Sequence, residues 1–329
     1  MPDIAHQYRT IVSGAGFRTR ADRGRLRFTG ADRVTFLQAL VTNDLITLKA
    51  HEGAYAAYLT PQGRMVTDLH LFLRPDSIVA DVPAALTSGL AAKFDALVFA
   101  EDVQVFDASA ELAQVSVIGG RASALVAAAT GADAGALSQL AVWSQLDVNH
   151  GFVVRTDDAD IESYDVVLDA TREAALVDAL ESAGAVRMPD DLAEAIRVQK
   201  GRPAFGIDMN TDTIPLEAGL LERAISTSKG CYVGQEIVIR VLHRGGGRVA
   251  KRLVRLAMPS AVAADGVAPG SALAADGKDV GAITSVAPAT DGKGLVALGY
   301  VHRDHAEGGR TLSLSAQPGT VATIAGLAG

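Results

Sequence analysis

The sequence predicts an α+β protein with a small all-β region at its C-terminal end. Before residue 245, hairpin-like apolar runs are mixed with helical patterns and do not follow a regular strand–helix–strand repeat. After Gly245-Gly246-Gly247 the helical period disappears. Short apolar runs then recur between turn-forming pairs such as Asp276-Gly277 and Asp291-Gly292. This second pattern is typical of a small sandwich or barrel.

The first elements follow from local patterns. Leu26–Thr29 is predicted to be a strand, and Asp32 is expected to cap a helix whose apolar residues repeat on one face. Thr60-Pro61-Gln62-Gly63 is a strong turn signal between two apolar runs, and a third run follows. We therefore predict a three-stranded antiparallel meander over 54–59, 65–73 and 77–82. A helix over 84–99 and a strand over 103–106 complete this region.

The middle of the chain alternates short strands and helices. The predicted strands cover 115–118, 152–155 and 166–168, and the predicted helices cover 121–129, 172–182 and 191–198. Neither a GxGxxG turn between strand and helix nor a GxxxxGK[ST] loop is present, so the sequence does not support a dinucleotide or P-loop site. The C-terminal runs that predict barrel strands cover 249–257, 280–286, 295–300, 311–315 and 320–324.

Composition excludes several classes of protein. The 329 residues are 49% hydrophobic and 21% charged, which excludes a mostly disordered chain. The formal net charge of -8 excludes a protein-wide basic surface for nucleic acid, although a local patch stays open. The start of the chain is unlike a leader, and no run of 18 uncharged apolar residues occurs. We therefore expect a cytoplasmic protein with no membrane contact.

The single cysteine, Cys231, lies in an unusual polar segment, Ser226–Glu236. With one thiol, the chain alone cannot hold a disulfide, a cysteine zinc site or an iron–sulfur cluster. The histidines show no metal-ligand spacing, so no metal site is predicted. Lys229 stands two residues before the thiol, and a nearby ammonium favours thiolate. The alternative is that Cys231 is a small buried hydrophobic residue.

The segment Lys229-Gly230-Cys231-Tyr232-Val233-Gly234-Gln235-Glu236 resembles the signature of the YgfZ-type folate-binding proteins. These are relatives of the glycine-cleavage T-protein, an aminomethyltransferase, and include iron–sulfur assembly factors. Further matches, in the same order as in that family, run from about residue 26 to 256. They are Phe36-Leu37-Gln38, Thr42-Asn43-Asp44-Leu45, Thr60-Pro61-Gln62-Gly63-Arg64, Asp68-Leu69, Gly201-Arg202-Pro203 and Ile214-Pro215-Leu216-Glu217.

The resemblance implies a tetrahydrofolate site, or a site for a one-carbon derivative, at the centre of a ring of domains. Asp68 matches an aspartate that faces the reactive folate nitrogens, and Glu217 matches a glutamate that holds the pterin. A carboxylate suits a pterin edge because it accepts two adjacent N–H groups. The alternatives are a solvated strand residue for Asp68 and a first-turn helix acid for Glu217.

The resemblance adds Tyr232 and Arg240 to the folate-binding residues, and Cys231, Asp68 and Lys229 as catalytic candidates. Arg240 begins a basic run, and basic residues are expected at one mouth of the site because the folate tail carries carboxylates. The run continues with His243, Arg244, Arg248, Lys251 and Arg252. It is also compatible with a solvated face or with RNA phosphate.

These observations predict a three-part organisation. A split α+β folate-binding domain would combine 1–48 with 111–244, an inserted α+β domain would cover 49–110, and a C-terminal Greek-key β-barrel would cover 247–329. Cys231 is expected at or near the central cavity, on the loop before a helix that starts near Gly234.

Two functions remain open. The first is a tetrahydrofolate-binding accessory protein in iron–sulfur cluster assembly or repair, supporting tRNA modification through its client proteins. Direct contact with tRNA stays open, although the net charge does not indicate it. The second is a folate-dependent aminomethyltransferase or demethylase that transfers a one-carbon unit to tetrahydrofolate.

Overall fold

The computed structural model describes residues 3–244, 246–259 and 266–329, without the side chains of Arg244 and Pro318. The helices are α1 (Ile4–Ser13), α2 (Arg33–Leu40), α3 (Thr87–Asp95), α4 (Ala122–Thr130), α5 (Ala134–Gln139), α6 (Glu173–Ser182), α7 (Asp190–Lys200), α8 (Leu221–Ala224) and α9 (Gln235–Ile239). Shorter turns of 3-10 helix cover Ala84–Leu86, Ala170–Arg172 and Arg303–His305, and a π-helical turn, Arg240–Arg244, extends α9.

The chain forms two open sheets followed by a closed barrel. The strands are β1 (Gly16–Thr19), β2 (Arg23–Thr29), β3 (Gly53–Leu59), β4 (Met65–Leu73), β5 (Ile78–Pro83), β6 (Gln104–Asp107), β7 (Leu112–Ile118), β8 (Gln145–Val148), β9 (Gly151–Arg155), β10 (Ser163–Asp169), β11 (Val186–Arg187), β12 (Lys251–Met258), β13 (Ala272–Ala275), β14 (Lys278–Pro288), β15 (Leu295–His302), β16 (Thr311–Leu314) and β17 (Gln317–Leu327).

The first sheet has the order β3-β4-β5-β2-β6 and is antiparallel throughout. It contains the predicted meander, β3-β4-β5, which is confirmed. One face of the sheet packs on α2 and α3 through apolar side chains such as Leu69, Leu71 and Phe94. Side chains two residues apart on a strand share a face. In β4, Leu69, Leu71 and Leu73 enter this core, and Asp68, His70 and Phe72 alternate with them on the other face.

The second sheet has the order β11-β1-β7-β10-β9-β8, with only the β1–β11 pair parallel. Its outer face packs on α4 and α6. The inner faces of the two sheets meet through Phe72 and Val79 on one side and Phe152, Val154 and Val167 on the other. The rings of Phe72 and Phe152 pack edge to face, with centroids 5.9 Å apart.

The C-terminal part is a closed six-stranded antiparallel barrel, β12-β15-β14-β13-β16-β17. The order β12-β15-β14-β13 is a Greek key, because β12 lies beside β15 and a long connection leads on to β13. Part of that connection, 260–265, and Gly245 of the glycine triplet lie outside the described residues. Apolar residues of α7, including Ala195 and Val198, pack against Leu253 and Leu298 of the barrel. The predicted α+β fold with a C-terminal barrel is confirmed.

Sheet membership differs from the predicted grouping at one point. The division into 1–48 plus 111–244, 49–110 and 247–329 remains a prediction, but β2 does not join the strands of 111–244. It pairs with β5 and β6, and α2 packs in the same core. Only β1 of the first 48 residues belongs to the second sheet. β2 joins the first sheet because it pairs with β5, a strand about fifty residues later in the chain. Local sequence patterns do not indicate such a long-range pairing.

No helix in the described ranges is both long and apolar enough to cross a membrane.

Candidate functional site

A cavity of about 520 Å³ lies where both sheets, α7 and the segment 202–207 meet. Charged side chains dominate its wall. The arginines are Arg18, Arg20, Arg23, Arg197, Arg202 and Arg223, and the acidic residues are Asp22, Asp68, Asp81, Asp158, Asp165, Asp190 and Glu194. Because small-molecule sites are concave and carry a few convergent polar groups, this cavity is the candidate functional site.

Asp68 belongs to the wall that the first sheet contributes. On β4 it shares a face with His70, which also lines the cavity. Asp68 is only 4% exposed, and its Oδ2 accepts a hydrogen bond of 3.0 Å from the hydroxyl of Tyr55. Its Oδ1 lies 3.8 Å from Arg23 and has no hydrogen-bond partner among the described residues. The interpretation of Asp68 as a solvated strand residue is therefore wrong.

Arg23 and Asp81 form the charged pair behind Asp68. The Nε of Arg23 donates to Oδ1 of Asp81 over 2.5 Å, and Oδ2 of Asp81 lies 3.5 Å from Nδ1 of His70. Burial by itself raises the pKa of Asp81, but Arg23, His70 and Arg20 outweigh burial and hold that pKa far below its usual value. Burial also raises the pKa of Tyr55 well above its usual value, assisted by Asp68, so the phenol keeps the proton that it donates.

The second sheet contributes the opposite wall. Asp165 on β10 is buried and accepts hydrogen bonds from the hydroxyl of Ser116 and, over 2.8 Å, from Nε2 of Gln114. The same Gln114 nitrogen also donates to Asp81 over 3.2 Å. Burial raises the pKa of Asp165, Arg20 opposes that rise and Asp158 adds to it. The polar groups of the two sheets therefore form one continuous network along the cavity wall.

Glu217 is buried but is not among the residues that line the cavity. It precedes α8 by several residues, and its backbone carbonyl accepts a hydrogen bond from Leu253 of the barrel. The interpretation as a first-turn helix acid is therefore wrong. Burial raises the pKa of its carboxyl, while Lys251 opposes the rise.

This raised pKa predicts how Glu217 affects stability. The folded state holds the carboxyl proton more tightly than the unfolded state, so the resulting stabilisation is present at low pH and is lost as the pH rises through the raised value. In Glu217→Gln, the free energy of unfolding should therefore fall less between pH 4 and 8 than in the wild type. Urea unfolding at pH 4, 6 and 8 measures this. The exposed Glu222→Gln serves as control, and parallel curves for wild type and Glu217→Gln would contradict the assignment.

Lys229, predicted to be catalytic, is held by backbone carbonyls at the end of α2. Its Nζ donates to the carbonyl oxygens of Gln38, Val41 and Asn43 over 2.7, 2.7 and 2.8 Å. Three acceptors match the three N–H groups of an ammonium. Burial lowers the pKa of Lys229 to about 8, with Asp44 opposing the shift. Lys229 therefore binds the free carbonyls at the end of α2 and attaches the signature loop, residues 229–236, to that helix. It is not among the described residues that line the cavity.

The remaining predicted site residues also lie away from the cavity wall. Cys231 is exposed, so the alternative of a buried hydrophobic residue is wrong, and the described residues that line the cavity do not include it. Tyr232 is buried in an apolar cluster with Tyr55 and Met209, and burial raises its pKa to about 12. Arg240 is half-exposed in the π-helical turn and pairs with Glu236 over 3.0 Å. Of the six predicted site residues, only Asp68 lines the cavity.

The position of Cys231 predicts a chemically accessible but dispensable thiol. An exposed thiol that faces no core should react fully with iodoacetamide in the native protein. Cys231→Ser should change the free energy of unfolding by less than about 0.5 kcal/mol, as is usual for surface substitutions. Mass spectrometry after native alkylation and urea unfolding of the variant measure these effects. A thiol that reacts only after unfolding would contradict the exposed position.

Most of the cavity residues were not predicted from the sequence. Arg23, His70, Asp81 and Asp165 are contributed by four different strands, and neither motif nor spacing connects them. One signal was available. Asp68, Asp81 and Asp165 are each an aspartate inside a mostly apolar strand. Strands disfavour aspartate, and it is seldom buried without a partner.

The chain is similar to known proteins along most of its length. A family model described as the GCVT N-terminal domain matches residues 2–229. An aminomethyltransferase from Rubrobacter xylanophilus is 25% identical over 317 residues, which span 96% of this chain and 83% of that protein. A putative chloroplastic transferase from Arabidopsis thaliana is 26% identical over 297 residues, which span 88% of this chain but only 66% of that longer protein.

The same fold occurs in a solved structure. The crystal structure of the glycine cleavage system aminomethyltransferase T from Bartonella henselae superposes with a TM-score of 0.85 at 19% identity. The match covers 98% of this chain and 88% of that protein. The fold of an aminomethyltransferase T is therefore the fold of this chain.

Proposed function

Because this chain belongs to the aminomethyltransferase-like family defined by the GCVT N-terminal domain, we propose that it binds tetrahydrofolate in the central cavity and transfers a one-carbon unit to it. The observation that carries the proposal is the buried Oδ1 of Asp68, which has no hydrogen-bond partner among the described residues and lies on the cavity wall. A buried acceptor without a donor costs free energy, and a ligand N–H removes that cost.

The cavity suits tetrahydrofolate in size and in chemistry. Its volume of about 520 Å³ is in the range of small-molecule sites. Asp68 offers an acceptor for a ligand N–H group, and arginines such as Arg18 and Arg202 offer donors for the carboxylates of the glutamate tail. The Nε atoms of these two arginines are buried without a hydrogen-bond partner among the described residues. The proposed roles of Glu217, Tyr232 and Arg240 remain predictions.

The residues around Asp68 explain how it would act. When bound, tetrahydrofolate supplies a nucleophilic nitrogen that accepts a one-carbon unit. The Tyr55 hydroxyl holds Oδ2 of Asp68, which leaves Oδ1 available to accept a hydrogen bond from a ligand. Arg23 lies 3.8 Å from Oδ1 of Asp68, near enough to stabilise that carboxylate, but it lies closer to Asp81, at 2.5 Å. Asp68 is thus preorganised to accept a hydrogen bond and to stabilise positive charge that develops on a bound nitrogen.

The role in iron–sulfur cluster assembly, with support of tRNA modification, is the second candidate, and the exposed thiol of Cys231 is the observation that favours it. A thiol on the surface is accessible to a client protein. The geometry favours the transferase, because Asp68 lines the cavity with an oxygen that has no partner among the described residues, whereas Lys229 is engaged by three carbonyls and is not available to assist the thiol. A cytoplasmic location also remains a prediction.

A transfer assay separates the two functions. The protein is incubated with tetrahydrofolate and an aminomethyl donor that carries ¹³C in the transferred carbon, and methylene-tetrahydrofolate is followed by NMR. The transferase proposal predicts catalytic turnover. An absence of turnover, together with loss of iron–sulfur enzyme activity in cells that lack the gene and its recovery with wild type but not Cys231→Ser, would favour the assembly role.

A further inference from the structure

His70 and Asp81 form a carboxylate–histidine pair on the cavity wall, next to Asp68. Nδ1 of His70 lies 3.5 Å from Oδ2 of Asp81 but does not reach hydrogen-bond geometry, so this buried nitrogen has no hydrogen-bond partner among the described residues. Such contacts often tighten when a ligand binds. Because Nδ1 is buried beside Asp81 and the side chain lines the cavity, Nε2 is the ring nitrogen that we expect to meet a ligand. A carboxylate that orients an imidazole in this way is a common device for moving protons.

Aromatic rings hold the imidazole in place. The ring of His70 stacks between those of Tyr55 and Trp143, with both centroids 4.7 Å away and both interplanar angles 32°. Trp143 reaches this position with φ of 67°, a conformation that is rare for a large side chain. The imidazole is therefore confined by two aromatic rings beside a carboxylate.

The charged and titratable groups that face His70 come from every strand packed against it. Tyr55 lies on β3, Arg23 on β2, Asp81 on β5 and Asp68 on β4 itself. From the second sheet, Gln114 connects Asp81 to Asp165. Arg23 and Gln114 both donate to Asp81, which stays ionised beside His70.

We infer that His70 is the residue that carries the proton in this cavity, oriented by Asp81. This inference rests on the proposed function. In the transfer, Nε2 of neutral His70 takes the proton that the acceptor nitrogen loses as its new bond to carbon forms. His70 then gives that proton to the departing amine, which keeps the electron pair of the carbon–nitrogen bond that breaks. Methylene-tetrahydrofolate carries two new carbon–nitrogen bonds, so the exchange occurs twice. In the second exchange the other folate nitrogen bonds to the carbon, and its proton passes through His70 to the second leaving group of the donor, which keeps the electron pair of its broken bond to carbon. No oxidant or reductant is needed, and His70 ends the cycle neutral.

Kinetics and calorimetry test the inference. Both His70→Gln and His70→Phe should lower kcat by about 10²- to 10⁴-fold, the usual contribution of a general acid–base group, with little change in KM for tetrahydrofolate. His150→Asn, at an exposed histidine, is the matched control for the His70 variants and should turn over like the wild type. Full kcat in both His70 variants would overturn the inference, as would a loss of kcat/KM that comes entirely from a higher KM. Failure of the proposed function is distinct: wild-type protein would give no heat with tetrahydrofolate in calorimetry.

Discussion

Replacement of Asp68 with asparagine is expected to weaken tetrahydrofolate binding by roughly 10- to 100-fold, the loss of one hydrogen bond to a charged group. Transfer should fall by at least about 100-fold, because the amide no longer stabilises positive charge on a bound nitrogen. The substitution keeps size and shape, and the amide oxygen can still accept from Tyr55. Titration calorimetry measures binding, and ¹³C NMR of methylene-tetrahydrofolate measures transfer.

A matched control separates this effect from loss of a surface charge. Asp178 on α6 is exposed and distant from the cavity wall, so Asp178→Asn should bind and turn over like the wild type. Tyr55→Phe removes the donor to Oδ2 and should have a smaller effect than Asp68→Asn. Unchanged binding and turnover in a folded Asp68→Asn would remove Asp68 from the site.

Replacement of Lys229 with methionine is expected to lower the free energy of unfolding by about 3 kcal/mol or more. Each hydrogen bond from an ammonium contributes about 1.5–3 kcal/mol, and three carbonyl oxygens would lose their donor in a buried place. Methionine is close to lysine in length and apolar, so the loss reports the ammonium and not a cavity. Urea denaturation measures the change.

The exposed Lys278→Met is the control and should change stability by less than about 0.5 kcal/mol. A loss of less than about 1 kcal/mol in Lys229→Met would contradict the helix-end role. A catalytic role for Lys229 would then regain support, since such a residue is not required for stability. In that outcome, residues 229–236 should keep their position in the folded Lys229→Met variant.

The local patterns of the sequence predict much of the fold. The meander β3-β4-β5 follows from apolar runs around Thr60-Pro61-Gln62-Gly63, and the barrel follows from short runs separated by turn pairs. The helix predicted over 84–99 is shorter, because 84–86 forms a 3-10 turn and α3 ends at Asp95. Beyond it, Phe99 is 87% exposed, so the apolar pattern there does not mark a buried helix face.

Local sequence patterns do not predict which distant strands pair with each other. The parallel strand β11 has two exposed residues and pairs with β1, which lies about 170 residues earlier. The placement of β2 beside β5 is of the same kind. Both depend on long-range contacts, whose formation reflects the packing of whole sheets.

Of the residues that line the cavity, the sequence analysis predicted Asp68 and missed most others. The family resemblance directed attention to the signature at 229–236, and the structure shows that Lys229 secures that loop to α2. The charged wall is instead made by single aspartates on separate strands. A sequence motif consists of residues that are close along the chain. Asp68, Asp81 and Asp165 are far apart in sequence and come together only because their strands pair in sheets and the side chain of Gln114 bridges Asp81 and Asp165.

A crystal structure of the protein grown with tetrahydrofolate tests the central claim most directly. The account predicts ligand density in the cavity between the two sheets, with a ligand nitrogen within hydrogen-bond distance of Oδ1 of Asp68. Density for tetrahydrofolate elsewhere on the protein, with the cavity empty and Oδ1 of Asp68 still without a partner, would contradict it.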